Sequence, residues 1–145
     1  MSDIVQRVGA KAFIRFDGKF LLIRESAPDG TQIGKYQIPG GMVEPGEPFM
    51  DALLREVKEE TGLSVRPITP IMVDSWMPTI DDIKHQIIGI FYLCEAESDE
   101  VVLSHEHDDY AWVSPEEVGN YDVPHPVPQL FQKYQKLSGQ NWGEL

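Results

Sequence analysis

The stretch Gly41-Met-Val-Glu-Pro-Gly-Glu-Pro-Phe-Met-Asp-Ala-Leu-Leu-Arg-Glu-Val-Lys-Glu-Glu-Thr-Gly-Leu63 decides how this chain is read. Between Pro48 and Gly62 it has no internal Gly or Pro and is rich in helix formers. Pro48 suits a first helical turn, where its missing N–H costs nothing, and Gly62 suits a stop. These signals predict a helix from about 48 to 61. At roughly 100° per residue, Met50, Leu53, Leu54 and Val57 fall on one side and form a core face. Glu56, Glu59 and Glu60, spaced i, i+3, i+4, share the opposite side. Ala52 falls between the two and leaves room above the carboxylates. Like charges at this spacing repel by about a few tenths of a kcal/mol per pair, so three on one stripe need a cause. A divalent cation supplies one, because Mg²⁺ and Mn²⁺ favour oxygen ligands and Mg²⁺ joins few carboxylates to water and substrate phosphates. The bland alternative is a solvated acidic face.

The spacing itself is restrictive. Gly41, Glu47, Arg55, Glu56, Val57, Glu59, Glu60, Gly62 and Leu63 occupy fixed or class-restricted positions of one signature. On these residues the chain resembles the Nudix hydrolases, which cleave nucleoside diphosphates linked to another moiety. The resemblance implies an α/β fold, a mixed β-sheet sandwiched between α-helices. It implies Glu59 and Glu60 as primary metal ligands, with Glu56 as a further ligand or an aid to water activation. It implies Mg²⁺ as cofactor, with Mn²⁺ able to replace it. It brings the Gly40 carbonyl to the metal and pairs Glu47 with Arg55 to orient the catalytic helix. Independently, the paired glycines Gly40 and Gly41 permit unusual backbone angles and close approach of a ligand, so Gly41 is a candidate substrate contact. Glu47 at the helix start is also favoured by the helix dipole.

The whole chain sets the frame. Its 145 residues suit one domain, 1–145, with a sizeable core. A net charge of −12 argues against broad nucleic-acid binding, since phosphate backbones need Lys and Arg partners. A small phosphorylated nucleotide is still allowed, because a bound cation inverts the local electrostatics of an acidic site. No apolar run approaches membrane-spanning length, and the first residues do not make a secretion signal. The single cysteine, Cys94, excludes an internal disulfide and reads as a buried strand thiol, which fits a cytoplasmic protein. A homodimer is left open.

Around the helix, residues 8–16 and 19–24 read as strands joined by the hairpin signal Asp17-Gly18. Residues 26–35 read as a loop, 63–74 as a strand broken by Pro67 and Pro70, and 76–82 as a loop. Residues 85–95 hold a buried strand and 110–113 a short one; Ser114-Pro115-Glu116-Glu117 is a helix start, and a final helix covers about 127–137.

Further site candidates lie outside the box. His105 and His107 are two apart, which suits opposite sides of a strand rather than a zinc site. The acidic segment 104–109 instead resembles a family loop whose acidic residue enters the site, and Glu106 matches it, as extra metal ligand or general base. His105 or His107 is the alternative base. Arg24 ends the second strand, either as a surface ion pair or as a contact to a substrate phosphate. Trp76, Tyr92 and Trp112 are candidates to stack on a base.

Pro78 lies fifteen residues after Leu63, a spacing that resembles ADP-ribose hydrolases, whereas compact size resembles members acting on nucleoside triphosphates, including oxidised ones. The sequence reading leans to an ADP-ribose-like substrate, with triphosphates as the alternative. A fold-retaining module that senses nucleotides without cleaving them, and an acidic interaction protein, are the rivals from other classes.

Overall fold

The computed structural model describes residues 3–28, 30 and 32–139. Strand β1 (Val5–Phe16) turns through Asp17-Gly18 into β2 (Lys19–Glu25). Asp17 and Gly18 adopt φ of 51° and 75°, the left-handed angles that a two-residue hairpin needs. Two short strands follow, β3 (Tyr36–Gln37) against β2 and β4 (Gly40–Met42) against β1. Helix α1 (Phe49–Thr61) leads to β5 (Val65–Trp76). The short β6 (Thr79–Ile80) folds back on β7 (Ile83–Ala96), and β8 (His107–Val113) pairs with β2. A 3₁₀ helix at Pro115–Asn120 precedes α2 (Val127–Ser138).

The sheet runs β3-β2-β1-β7-β5. Its spine is the parallel pair β1 and β7, in register from Val5↔His85 to Arg15↔Glu95. All other pairings are antiparallel, which makes the sheet mixed. Alternation along β1 divides two cores. Ala10, Ala12 and Ile14 pack with Leu53 and Val57 of α1. Phe13 faces the other way and packs with Leu130 and Phe131 of α2. There its ring stacks on Phe20 at 4.0 Å and meets Phe131 edge-on at 5.0 Å. The result is the expected sheet between helices.

Three local readings are corrected. Leu54 is not in the core of α1: it is 38% exposed, and the buried residues are Ala52, Leu53, Val57 and Thr61. The helix is rolled so that the ridge Ala52-Glu56-Glu60 turns toward β4, which pulls Leu54 to the rim. Ala52 therefore leaves no space above the carboxylates but packs against the sheet. The second correction is at 63–74: Pro67 and Pro70 do not end the strand. β5 runs through both with register shifts beside them, as the end strand of the sheet order can, because its free side needs no N–H donor. The third is at 76–82, where the segment is not all loop, because Trp76 ends β5 and Thr79–Ile80 forms β6.

Other expectations match. α1 stops at Gly62, whose φ of 72° lets its N–H return to the Lys58 carbonyl. Ser114 starts the 3₁₀ helix, donating through Oγ and its backbone N–H to the Glu117 carboxylate. Cys94 is fully buried, and burial pushes its thiol pKa up to about 12. No helix among the described residues is long and apolar enough to cross a membrane.

Candidate active site

The site begins where β4 passes under α1. Gly40 has φ of 146°, and a Cβ there would lie 2.2 Å from the Ala10 carbonyl oxygen. Only glycine lets the chain come this close to β1. In this position the Gly40 N–H donates to Glu60 Oε1 at 2.7 Å. A Cβ on Gly41 would lie 2.4 Å from the Glu56 carboxyl carbon. The two glycines thus seat two carboxylates of the stripe directly on backbone.

Those carboxylates are not on a solvated face. Burial raises the Glu60 pKa to about 7, against the lowering effect of the Gly40 N–H and of Lys11; Glu56 and Glu106 add to the rise. Burial also raises the pKa of Glu56, opposed by Arg55. Glu59 differs, with 58% of its side chain exposed.

Arg55 ties the stripe to the turn before α1. Its Nε and one terminal nitrogen donate to the two Glu47 oxygens at 2.8 and 3.0 Å, a two-pronged pairing. The other terminal nitrogen reaches Glu56 at 3.0 Å and Glu59 at 3.3 Å. Arg55 also donates to the Met42 carbonyl on β4 at 3.4 Å. Paired this way, Glu47 is held down to a pKa of about 2, first by Arg55 and then by the Glu44 N–H.

Glu106 lies on the loop before β8, and its carbonyl accepts the N–H groups of Ser26 and Ala27, tying that loop to the end of β2. Its own side chain is exposed. His107 begins β8 with Nδ1 buried and unpartnered, and burial lowers its pKa. His105 stays exposed on the loop. Arg24 donates to Asp108 at 2.7 Å and lies over the Tyr36 ring. It does not line the cavity beside β3 and β4.

That cavity, about 260 Å³, opens on the α2 face of the sheet. Lys11, Gln37, Ile38 and Met42 line it from β1 and the β3–β4 segment; Trp76 lines it from the end of β5 and Pro78 from just beyond, and His125 lines it from the turn before α2. Of the three aromatic candidates, only Trp76 reaches it. Tyr92 packs beside Phe49, and Trp112 packs near Phe16 with its Nε1 donating to the Asp99 carbonyl. The Trp76 ring needs Gly89 beneath it, because a Cβ there would lie 2.5 Å from the indole. His125 Nε2 meets Asp74 at 2.9 Å. Lys11 has its pKa lowered by burial, and Glu60, Glu56 and Glu25 pull it back up. It is therefore the cation between cavity and carboxylates. Sequence reading missed it, although a lone lysine between Ala10 and Ala12 in an apolar strand was the signal.

Among the described residues, no three His, Cys, Asp or Glu side chains converge to hold a metal ion as they stand. Arg55 occupies Glu56 and Glu59 instead. The donor chemistry still fits a hard divalent cation: carboxylates with little access to water, seated on bare backbone at Gly40 and Gly41.

A family model described as NUDIX domain matches residues 5–134. Nucleoside triphosphatase NudI of Escherichia coli is 38% identical over 125 residues, covering 81% of this chain and 89% of that protein. NudI of Escherichia fergusonii is 36% identical over the same shares. The crystal structure of a MutT protein from Methanosarcina mazei superposes with a TM-score of 0.83 at 30% identity, covering 95% of this chain and 99% of that one.

Proposed function

The chain belongs to the Nudix family and is a Nudix hydrolase, and we propose that it is a divalent-metal-dependent pyrophosphohydrolase of nucleoside triphosphates. The observation that carries this is a cavity beside the stripe, with Lys11 at their junction. At about 260 Å³ it lies just under the range of roughly 300–1,000 Å³ common for small-molecule sites, and suits one nucleoside. The relatives named as nucleoside triphosphatases support the same class.

Glu56, Glu59 and Glu60, with the Gly40 carbonyl, are the residues that would hold the cation, for which Mg²⁺ is our assignment and Mn²⁺ the substitute. When bound, the ion polarises phosphate oxygens and lowers the pKa of the attacking water. The chain's own residues do the rest. Arg55 and Glu47 keep α1 in place over β4. Lys11 attracts the phosphates past an acidic surface, and Gly41 lets them approach the backbone. Glu106 takes the proton of the attacking water. A new O–P bond forms in line with the anhydride bond that breaks, and the products are a nucleoside monophosphate and pyrophosphate. Arg24 acts outside this centre, as a surface partner of Asp108. The lone buried thiol fits a cytoplasmic enzyme.

A second reading is an ADP-ribose-like substrate, favoured by one observation: Pro78 lines the cavity. A panel of deoxynucleoside and ribonucleoside triphosphates, 8-oxo-dGTP and ADP-ribose, assayed with Mg²⁺ and read by product mass, decides. We expect a triphosphate to exceed ADP-ribose in kcat/KM by more than tenfold. The reverse order would replace this reading with the second.

A further inference from the structure

Gln37 is a polar group of the cavity whose orientation is set before any substrate arrives. Gln37 Nε2 donates to Glu25 Oε2 at 2.8 Å, and the same oxygen accepts the Gln32 N–H at 2.7 Å. A carboxylate only accepts, so the Gln37 amide must offer its NH₂ to Glu25. Its Oε1 is then the free end, and no described residue donates to it. Gln37 lines the cavity, whereas Glu25 does not. Lys11 on the same wall can donate to any acceptor that approaches, and so discriminates poorly. A locked amide oxygen does discriminate, because it rewards an N–H and repels a lone pair.

We propose that Gln37 is the specificity residue of this site: its Oε1 accepts an N–H from the edge of the nucleobase, and Glu25 is the positioning residue that enforces this polarity. The proposal rests on the triphosphate reading above. It goes further by stating which side chain reads the base and what the base must present.

The test compares each base with its own methylated analogue. Among dTTP, dCTP, dGTP and dATP, the best substrate is set against the form whose edge N–H groups are removed: N3-methyl-dTTP, N4,N4-dimethyl-dCTP, N1,N2,N2-trimethyl-dGTP or N6,N6-dimethyl-dATP. Wild type should prefer the parent by at least about tenfold in kcat/KM, since a site built around a hydrogen bond rejects a substrate that lacks it. Gln37→Met should bring the ratio toward one by losing the parent. Glu25→Gln should also lower it, because the Gln37 amide is then free to turn. Simple exclusion of the methyl group predicts an unchanged ratio in Glu25→Gln. Gln37→Met should keep the wild-type circular-dichroism spectrum and thermal melt, showing that the variant is folded. A wild-type ratio in both variants overturns the proposal and leaves the triphosphate reading standing. If no nucleoside triphosphate of the panel above is hydrolysed, that reading falls and this proposal with it.

Discussion

A methyl group at Gly41 would sit 2.4 Å from the Glu56 carboxyl carbon. Gly41→Ala should therefore push that carboxylate off its seat without disturbing the sheet. A displacement of about 1 Å can cost roughly 10²-fold in rate, and kcat should fall on that scale. Steady-state kinetics beside a thermal melt checks it, and unaltered kcat would show that Glu56 needs no seat. Glu60 allows a second test, in the metal-free protein. Its folded pKa of about 7 lies above the ordinary glutamate value of 4.5. Between those values the folded state holds the extra proton, so stability falls as pH rises through that window. Glu60→Gln removes the charge that burial penalises. We expect metal-free wild type to melt lower at pH 8 than at pH 5, and the variant to lose part of that difference. An identical pH profile in both would contradict it.

Helix α1 works as a unit because Arg55 joins it to Glu47 in the turn before it and to Met42 on β4. Arg55→Ala should reduce kcat by about 10²-fold by misplacing the carboxylate ridge. Retention of full kcat would make the pairing ornamental. Strand β7 supports the cavity through Gly89: Gly89→Ala should lift Trp76, raising KM more than it lowers kcat, with a changed indole fluorescence as the structural readout. An unshifted spectrum with unchanged KM would remove Trp76 from the cavity wall. α1 was legible in the sequence because its signals are local: no internal Gly or Pro, the Gly62 stop, and carboxylates at i, i+3, i+4. Its roll was not, because an ideal wheel centres the apolar side chains and cannot know that β4 draws Glu56 and Glu60 inward. The wheel therefore puts Leu54 in the core, whereas the fold leaves it at the rim. The cavity was legible only in fragments. Lys11, Gln37 and Trp76 lie on three strands that one sheet brings together, His125 joins them from the turn before α2, and nothing near Gln37 in sequence announces Glu25 as its partner.

At the scale of the whole molecule, the two faces of the sheet divide the labour. α1 packs on one face and carries the acidic ridge, while α2 packs on the other and bounds the cavity. Lys11 on β1 joins the two sides, a local positive charge in a chain of net charge −12. Such a chain repels a triphosphate unless a cation intervenes. The claim that the acidic ridge acts through a divalent cation is therefore central. Its most direct test is release of nucleoside monophosphate from the best triphosphate, followed with Mg²⁺, in excess chelator, and after Mg²⁺ is restored, for wild type and Glu60→Gln. Wild-type turnover should vanish in chelator and return with Mg²⁺, and Glu60→Gln should be slower by about 10²-fold or more, the scale of losing a main charge-stabilising group. Undiminished turnover after complete removal of metal would contradict the account.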